Sequence, residues 1–177
     1  MLDTINIYVA NLAAYNDGVL KGEWFTLPTS MRDIFDTIFD EDELDEHGHP
    51  YGDWAIHDYE AAFEISEYES IDKLNEIAEI FNSLSLKEVE ALLAMYNDLL
   101  FSDLSSYKDK LSSLVWYNGC TSISEVIYNE FTNMYDPDEH PLLYSYFDFK
   151  EYTNDVSINR TFHVLEESNA VVEVLNT

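Results

Sequence analysis

At 177 residues the chain suits one compact domain or two to three small modules, and its 46% hydrophobic content supplies the core of a globular protein. Against this stand 36 acidic and 8 basic side chains, a formal net charge of −28, which repels nucleic acid and anionic membranes alike and so argues against direct binding of either. The lone cysteine, Cys120, excludes an internal disulfide, and no apolar run approaches the roughly 20 residues of a bilayer span.

The opening Met1-Leu2-Asp3-Thr4 has no basic region of the signal-peptide kind, so the expected location is cytoplasmic and the sequon Asn159-Arg160-Thr161 reads as chance. Thr4 to Val9 alternates with β-branched residues and reads as a strand. Asn16-Asp17-Gly18 is a turn signal, and Gly22 opens a second strand ending before Pro28. Thr29 or Ser30 can cap a helix carrying Met31, Ile34, Phe35 and Ile38 at helical spacing. The stretch Asp40 to Gly52 reads as a loop whose acidic block, Asp40 to Glu46, is mobile, and Asp53 to His57 as a third strand.

From Ser70 the period changes from two to 3.6. Ile71, Leu74, Ile77, Ala78, Phe81 and Leu84 share one helical face, with Asp72, Glu76 and Glu79 off it. Ser85 and Glu88 form a capping-box signal for a second helix with Val89, Leu92, Leu93, Tyr96, Leu99 and Leu100 on its apolar face. Leu104, Tyr107 and Leu111 suggest a third, shorter one. Leu114 to Tyr117 fits either a strand or a helix end. Ser122 and Glu125 open a helix carrying Ile123, Val126, Ile127, Phe131 and Met134, and Asp136-Pro137-Asp138 stops it. Leu142 to Asp155 reads as helix in pieces, and Thr161–Leu165 with Ala170–Leu175 as a closing hairpin. The expected class is α+β in three small modules: 1–70, a small antiparallel sheet with a helix; 71–111, helical; and 112–177, α/β ending in the hairpin.

The organising stretch is residues 33 to 69, which holds fourteen carboxylates and no Lys or Arg. Like-charge blocks usually mark solvated tails, but here Trp54, Ile56, Tyr59, Phe63, Ile65 and Tyr68 interleave the acids. The window reads as folded backbone displaying negative charge. Other chemistries fare poorly. Any carboxylate pair can be picked from 36, so acid–base catalysis has no specific signal. A calcium loop begun at Asp40 fails, with Asp45 where Gly is needed and Tyr51 where Glu is needed. His47, His49 and His57 match no closed metal-site spacing and read as exposed loop residues. Cys120 reads as a small buried residue. No cofactor, metal or catalytic residue is expected.

Duplex DNA carries one charge per roughly 1.7 Å of axis, so 28 charges correspond to about 48 Å of duplex. A compact chain of this length is roughly 40 Å across, so its charge per unit length approaches that of DNA. A basic groove built for phosphates would attract such a surface. A solvated acidic face kept for solubility is the plainer reading, and an acidic module for another basic DNA-binding protein is a third.

Motifs extend the reading. Ile7-Tyr8-Val9-Ala10-Asn11-Leu12 with Tyr15-Asn16-Asp17-Gly18, Leu20, Gly22 and Trp24 resembles the opening signature of the ArdA antirestriction proteins. Trp54-Ala55-Ile56-His57-Asp58-Tyr59-Glu60 and Ser66-Glu67-Tyr68-Glu69-Ser70-Ile71 resemble that family's central motif, and Tyr146 to Tyr152 with Asp155 matches more loosely. Asn154 stands where the family usually has Arg, and the hairpin lacks the Gly often found at its turn. The resemblance implies an elongated homodimer, carried by mobile elements, whose surface imitates bent B-form DNA. It also implies stoichiometric block of type I restriction–modification enzymes at the DNA-binding groove of their specificity and methyltransferase subunits. The acids expected to contact that groove, chosen because they flank ordered apolar residues, are Asp53, Asp58, Glu60, Glu64, Glu67, Glu69, Asp72, Glu76 and Glu79.

Overall fold

In the computed structural model, which describes residues 3–96 and 107–175, the alternating N-terminal stretch forms β1 (Asn6–Asn11). Ile7 and Val9 point inward and are fully buried, as a two-residue period requires. β1 is the centre of a three-stranded antiparallel sheet, flanked by β2 (Gly22–Thr26) and β3 (Trp54–Glu60). A short helix that the turn signal concealed, α1 (Leu12–Asn16), follows β1 directly. Asn11 caps it, its side chain accepting from the Ala14 N–H at 3.1 Å. A single turn has no periodicity to read, so only the Asn cap could have announced it.

α2 (Met31–Ile38) starts where Ser30 accepts from the Asp33 N–H, and Ile34, Phe35 and Ile38 bury its inner face against β1 and β2. α3 (Ile71–Ser83) is capped by Ser70 and buries Ile71, Leu74, Ile77, Ala78, Ile80 and Phe81. Asn75 ties it to the start of α2, accepting from the Thr29 N–H at 2.9 Å and donating to the Thr29 carbonyl at 2.7 Å. α4 (Leu86–Tyr96) begins at Ser85, whose N–H donates to the Glu88 carboxylate at 2.8 Å. Val89 and Leu92 are buried as expected; Leu99, Leu100 and Leu104 lie outside the described residues.

The chain divides into two compact units, with the described residues through Val89 in the first and those from Glu90 onward in the second. In the second unit, α5 (Tyr107–Ser112) precedes β4 (Leu114–Asn118), which settles the strand-or-helix choice for Leu114 to Tyr117 in favour of strand. α6 (Ile123–Met134), α7 (Pro141–Tyr146) and α8 (Phe149–Asn159) follow, then the hairpin of β5 (Thr161–Leu165) and β6 (Ala170–Val174). β4 pairs antiparallel with β6, giving the order β4-β6-β5. Leu114, Leu165, Ala170 and Val172 pack with Ala91 on one side of this sheet, and Val171 packs with Cys120 and Val126 on the other. Phe131 anchors the helices, its ring 4.4 to 6.1 Å from those of Tyr135, Tyr144, Phe147, Phe149 and Tyr152. Met134, placed on the α6 face by periodicity, is instead exposed, because it is the last helical residue before the break at Asp136-Pro137. Among the described residues the class is α+β, with eight helices and two small antiparallel sheets.

Candidate partner-binding surface

β3 carries the first of the displayed acids. Tyr8 pairs with Asp58 and Val9 with Ile56, leaving His57 as the extra residue of a β-bulge. The bulge resets the alternation: Ala55 and Ile56 are buried, while His57 and Asp58 are both exposed. Asp58 and Glu60 then share one face about 6.6 Å apart along the strand, and Glu60 accepts from the Asn6 amide at 3.0 Å. Asp53 precedes the strand and is exposed.

The segment after β3 lies back along it, with the Ile56 N–H donating to the Glu67 carbonyl at 2.9 Å and Ile65 buried. Glu64 and Glu67 face solvent. Glu69 is half-buried instead, because its carboxylate turns back onto the Ser66 hydroxyl and the Ser70 N–H. Tyr68, one of the apolar residues that interleave the acids, is 70% exposed. The charge of Glu67 first, and that of Asp53 last among the contributions, holds its phenol above the ordinary value. On α3, Asp72, Glu76 and Glu79 are exposed on the side opposite the buried face, with the exposed Lys73 between them. Asp72 and Glu76 lie about 6 Å apart along the helix axis and Glu79 about 4.5 Å further. Eight of the nine expected acids are exposed, and all nine belong to the first unit.

The acidic block from Asp40 to Glu46 is more structured than a mobile loop. Glu41–Glu43 form a 3₁₀ turn, and Leu44 bridges to Pro50. Lys21, from outside the acidic window, places its Nζ 2.8 Å from Asp40 and 2.9 Å from Glu43. The Glu43 carboxyl is held below the usual carboxylate range, first by the Asp40 N–H and then by Lys21. The Asp45 carboxylate accepts from the N–H groups of His47 and His49, each at 2.8 Å, which lowers its pKa in turn. The sequence carries no local sign of Lys21's role, since the pairing spans 19 to 22 residues.

His57 stacks edge-on against Tyr15 at 5.1 Å, and the His47 and His49 rings lie 6.3 Å apart. Among the described residues no group of three or more His, Cys, Asp or Glu side chains is placed to hold a metal ion, and no helix is long and apolar enough to cross a membrane. Cys120 is buried, its sulfur 3.5 Å from the Asn129 amide.

A second ionic cluster escaped the sequence reading. Arg160 donates to Glu130 at 2.6 and 2.8 Å, to Glu173 at 2.7 Å twice, and to the Tyr117 hydroxyl at 3.0 Å. Its guanidinium also lies 4.8 Å from the Phe162 ring. These carboxylates are consumed internally by the second unit, unlike the displayed acids of the first.

A family model described as antirestriction protein (ArdA) matches residues 7–171, nearly the whole chain. The chain belongs to the ArdA antirestriction family. Its function is therefore antirestriction in the general sense, directed at restriction enzymes, and ArdA proteins are inhibitors rather than enzymes. The match begins at Ile7, in the central strand of the first sheet, and ends at Val171, in the central strand of the second. A comparison with curated proteins finds no match.

Proposed function

We propose that this ArdA protein inhibits type I restriction–modification enzymes by occupying the DNA-binding groove of their specificity and methyltransferase subunits, with side-chain carboxylates standing in for phosphates. The observation that carries the reading is the Lys/Arg-free window at residues 33–69. Its six acids from Asp53 to Glu69 sit on or beside a bulged strand, a pinned return segment and the approach to α3, above buried Ala55, Ile56, Ile65 and Ile71. Charge fixed on packed backbone keeps its pattern on meeting a basic groove, whereas a tail would have to be ordered first. Asp53, Asp58, Glu60, Glu64, Glu67, Glu69, Asp72, Glu76 and Glu79 are the proposed contacts.

Phosphate contacts position a protein on DNA without reading bases, so a decoy of phosphates alone inhibits whatever the enzyme's recognition sequence. Inhibition is stoichiometric, since no step is chemical and no residue is catalytic. The protein acts in the cytoplasm of a cell that has received a mobile element. With modules at 1–70, 71–111 and 112–177, the acids fall in the first and at the start of the second, leaving the third for pairing as a homodimer. Exposed Leu142, Tyr146 and Ile158, at 74%, 87% and 80%, support an apolar contact there.

The test is restriction of incoming DNA in cells with and without the protein, repeated with type I enzymes of different recognition sequences, alongside competition with duplex DNA for a purified type I methyltransferase. Equal protection against all of them and mutual exclusion with DNA are expected. Binding that leaves DNA on the methyltransferase, or protection limited to one recognition sequence, would replace this reading with that of an acidic module for another basic protein.

A further inference from the structure

We propose that Lys21 is a positioning residue that makes the acidic block Asp40–Glu46 a fixed part of the partner-binding surface, with Glu41, Asp42 and Glu46 as added contacts. This rests on the DNA-decoy reading above. Six carboxylates in seven residues repel one another and, left alone, favour an open, mobile loop. Here the six divide. Asp40 and Glu43 bond to Lys21 and Asp45 to the backbone of the following turn, with Glu43 and Asp45 half-buried and Asp40 exposed. Glu41, Asp42 and Glu46 are exposed.

The anchor reaches into the core. Asn11, fully buried, donates to the Ile38 carbonyl at 3.3 Å and to Glu43 at 3.4 Å, while its own N–H donates to the Lys21 carbonyl at 2.9 Å. Glu43 also accepts from the Asp40 N–H at 2.6 Å, and its carbonyl receives the Tyr51 N–H at 2.9 Å. Lys21 is thus joined to the sheet through its backbone and to the 3₁₀ turn through its ammonium. The two carboxylates hold that ammonium above its ordinary pKa, so it stays charged. One cation offsets part of the repulsion that would open the turn and leaves Glu41, Asp42 and Glu46 facing out on a supported backbone.

Net charge and positioning make opposite forecasts for Lys21→Met. The substitution makes the protein more negative, so charge alone tightens binding to a basic groove. Positioning weakens it, because the outward acids lose their fixed arrangement. The full-length protein is titrated against a purified type I methyltransferase loaded with its duplex, over a series of salt concentrations. We expect Lys21→Met to compete about tenfold less well and to flatten the salt dependence, since fewer fixed ion contacts form. Lys21→Arg is expected to stay within about twofold of the parent, because it keeps the charge. Glu41→Gln/Asp42→Asn/Glu46→Gln alters only exposed side chains and is expected to weaken competition similarly, with little further loss on top of Lys21→Met. Parent-like or tighter competition by Lys21→Met, or parent-like competition by the triple variant, would overturn the role of Lys21. Failure of the parent protein itself to displace the duplex would overturn the DNA-decoy reading instead. Amide exchange at Glu43, Asp45 and Tyr51 reads separately whether Lys21 holds the turn, with faster exchange expected in Lys21→Met.

Discussion

Arg160 grips Glu173 through two parallel hydrogen bonds, Nε to Oε1 and Nη2 to Oε2, both 2.7 Å. Glu173 is 7% exposed, so removing the guanidinium strands a buried carboxylate beside Glu130. Arg160→Met is expected to destabilise the protein by about 3 kcal/mol, the low end for a broken buried pair because the Arg160 side chain keeps 28% exposure. Glu130→Gln, which leaves the Glu173 fork intact, should cost less. Urea denaturation followed by a signal from the second unit measures both.

The same cluster sets a pH dependence. Arg160 first, and the Tyr117 hydroxyl after it, hold the Glu130 and Glu173 carboxyls below their ordinary range. A depressed folded pKa gives stability that is present above the unfolded value, 4.5 here, and is lost as pH falls through the folded one. Burial first, and then the two glutamates, push the Tyr117 phenol up, so its contribution is present below pH 10 and declines above it. Melting temperature against pH should fall on both sides of this window. Arg160→Met should flatten the acid side, since the carboxyls then titrate nearer their unfolded values.

Gly22 lies against β1 with no room for a side chain. A Cβ there would stand 2.6 Å from the Val9 carbonyl oxygen and 2.9 Å from the Tyr8 ring. The backbone oxygen cannot move without breaking the β1–β2 ladder, so Gly22→Ala is expected to cost about 2 kcal/mol as overpacking. Thermal unfolding measures the loss. This close approach gives the family-like glycine a physical reason, independent of the acidic surface.

Asn169 occupies the left-handed region, φ +49°, at the turn between β5 and β6. It does there what the missing hairpin glycine would do, since Asn tolerates this conformation better than most residues. Asn169→Gly should leave the melting temperature unchanged or slightly higher. Asn169→Val should lower stability by about 1–2 kcal/mol, because its branched Cβ crowds the following carbonyl.

What the sequence revealed is whatever is local. α2, α3 and α6 could be read because Ser30, Ser70 and Ser122 announce their starts and apolar residues at 3.6 spacing mark their inner faces. The exposure of Asp72, Glu76 and Glu79 follows from the same period. What stayed hidden depends on distant partners. The strand state of Leu114 to Asn118 rests on pairing with β6, more than fifty residues on. The bulge at His57 exists only against β1. Lys21 and Arg160 could have been singled out by scarcity alone, since with eight cations among 36 acids each cation is a candidate structural clamp. The capping-box signal at Ser122 was half right. Ser122 accepts from Glu125 at 3.2 Å, but the Glu125 carboxylate reaches past it to the Thr121 N–H at 2.6 Å.

The α3 acids test whether binding depends on a distributed field. Glu76 and Glu79 are exposed and three residues apart, close enough to repel within one helix, and Glu76 stands four residues from Asp72. Neutralising them as Glu76→Gln/Glu79→Gln should raise stability by about 0.3 kcal/mol or leave it unchanged. The same change should weaken competition with duplex DNA for a type I methyltransferase, each single variant by less than about threefold and the double by more than either. Adding Glu64→Gln and Glu67→Gln should extend the loss in steps. Affinity would then fall with no loss of stability, which separates a surface kept for its charge from one kept for the fold. Loss of all binding from a single one of these exposed acids would instead identify a point contact, and the distributed field would have to be given up.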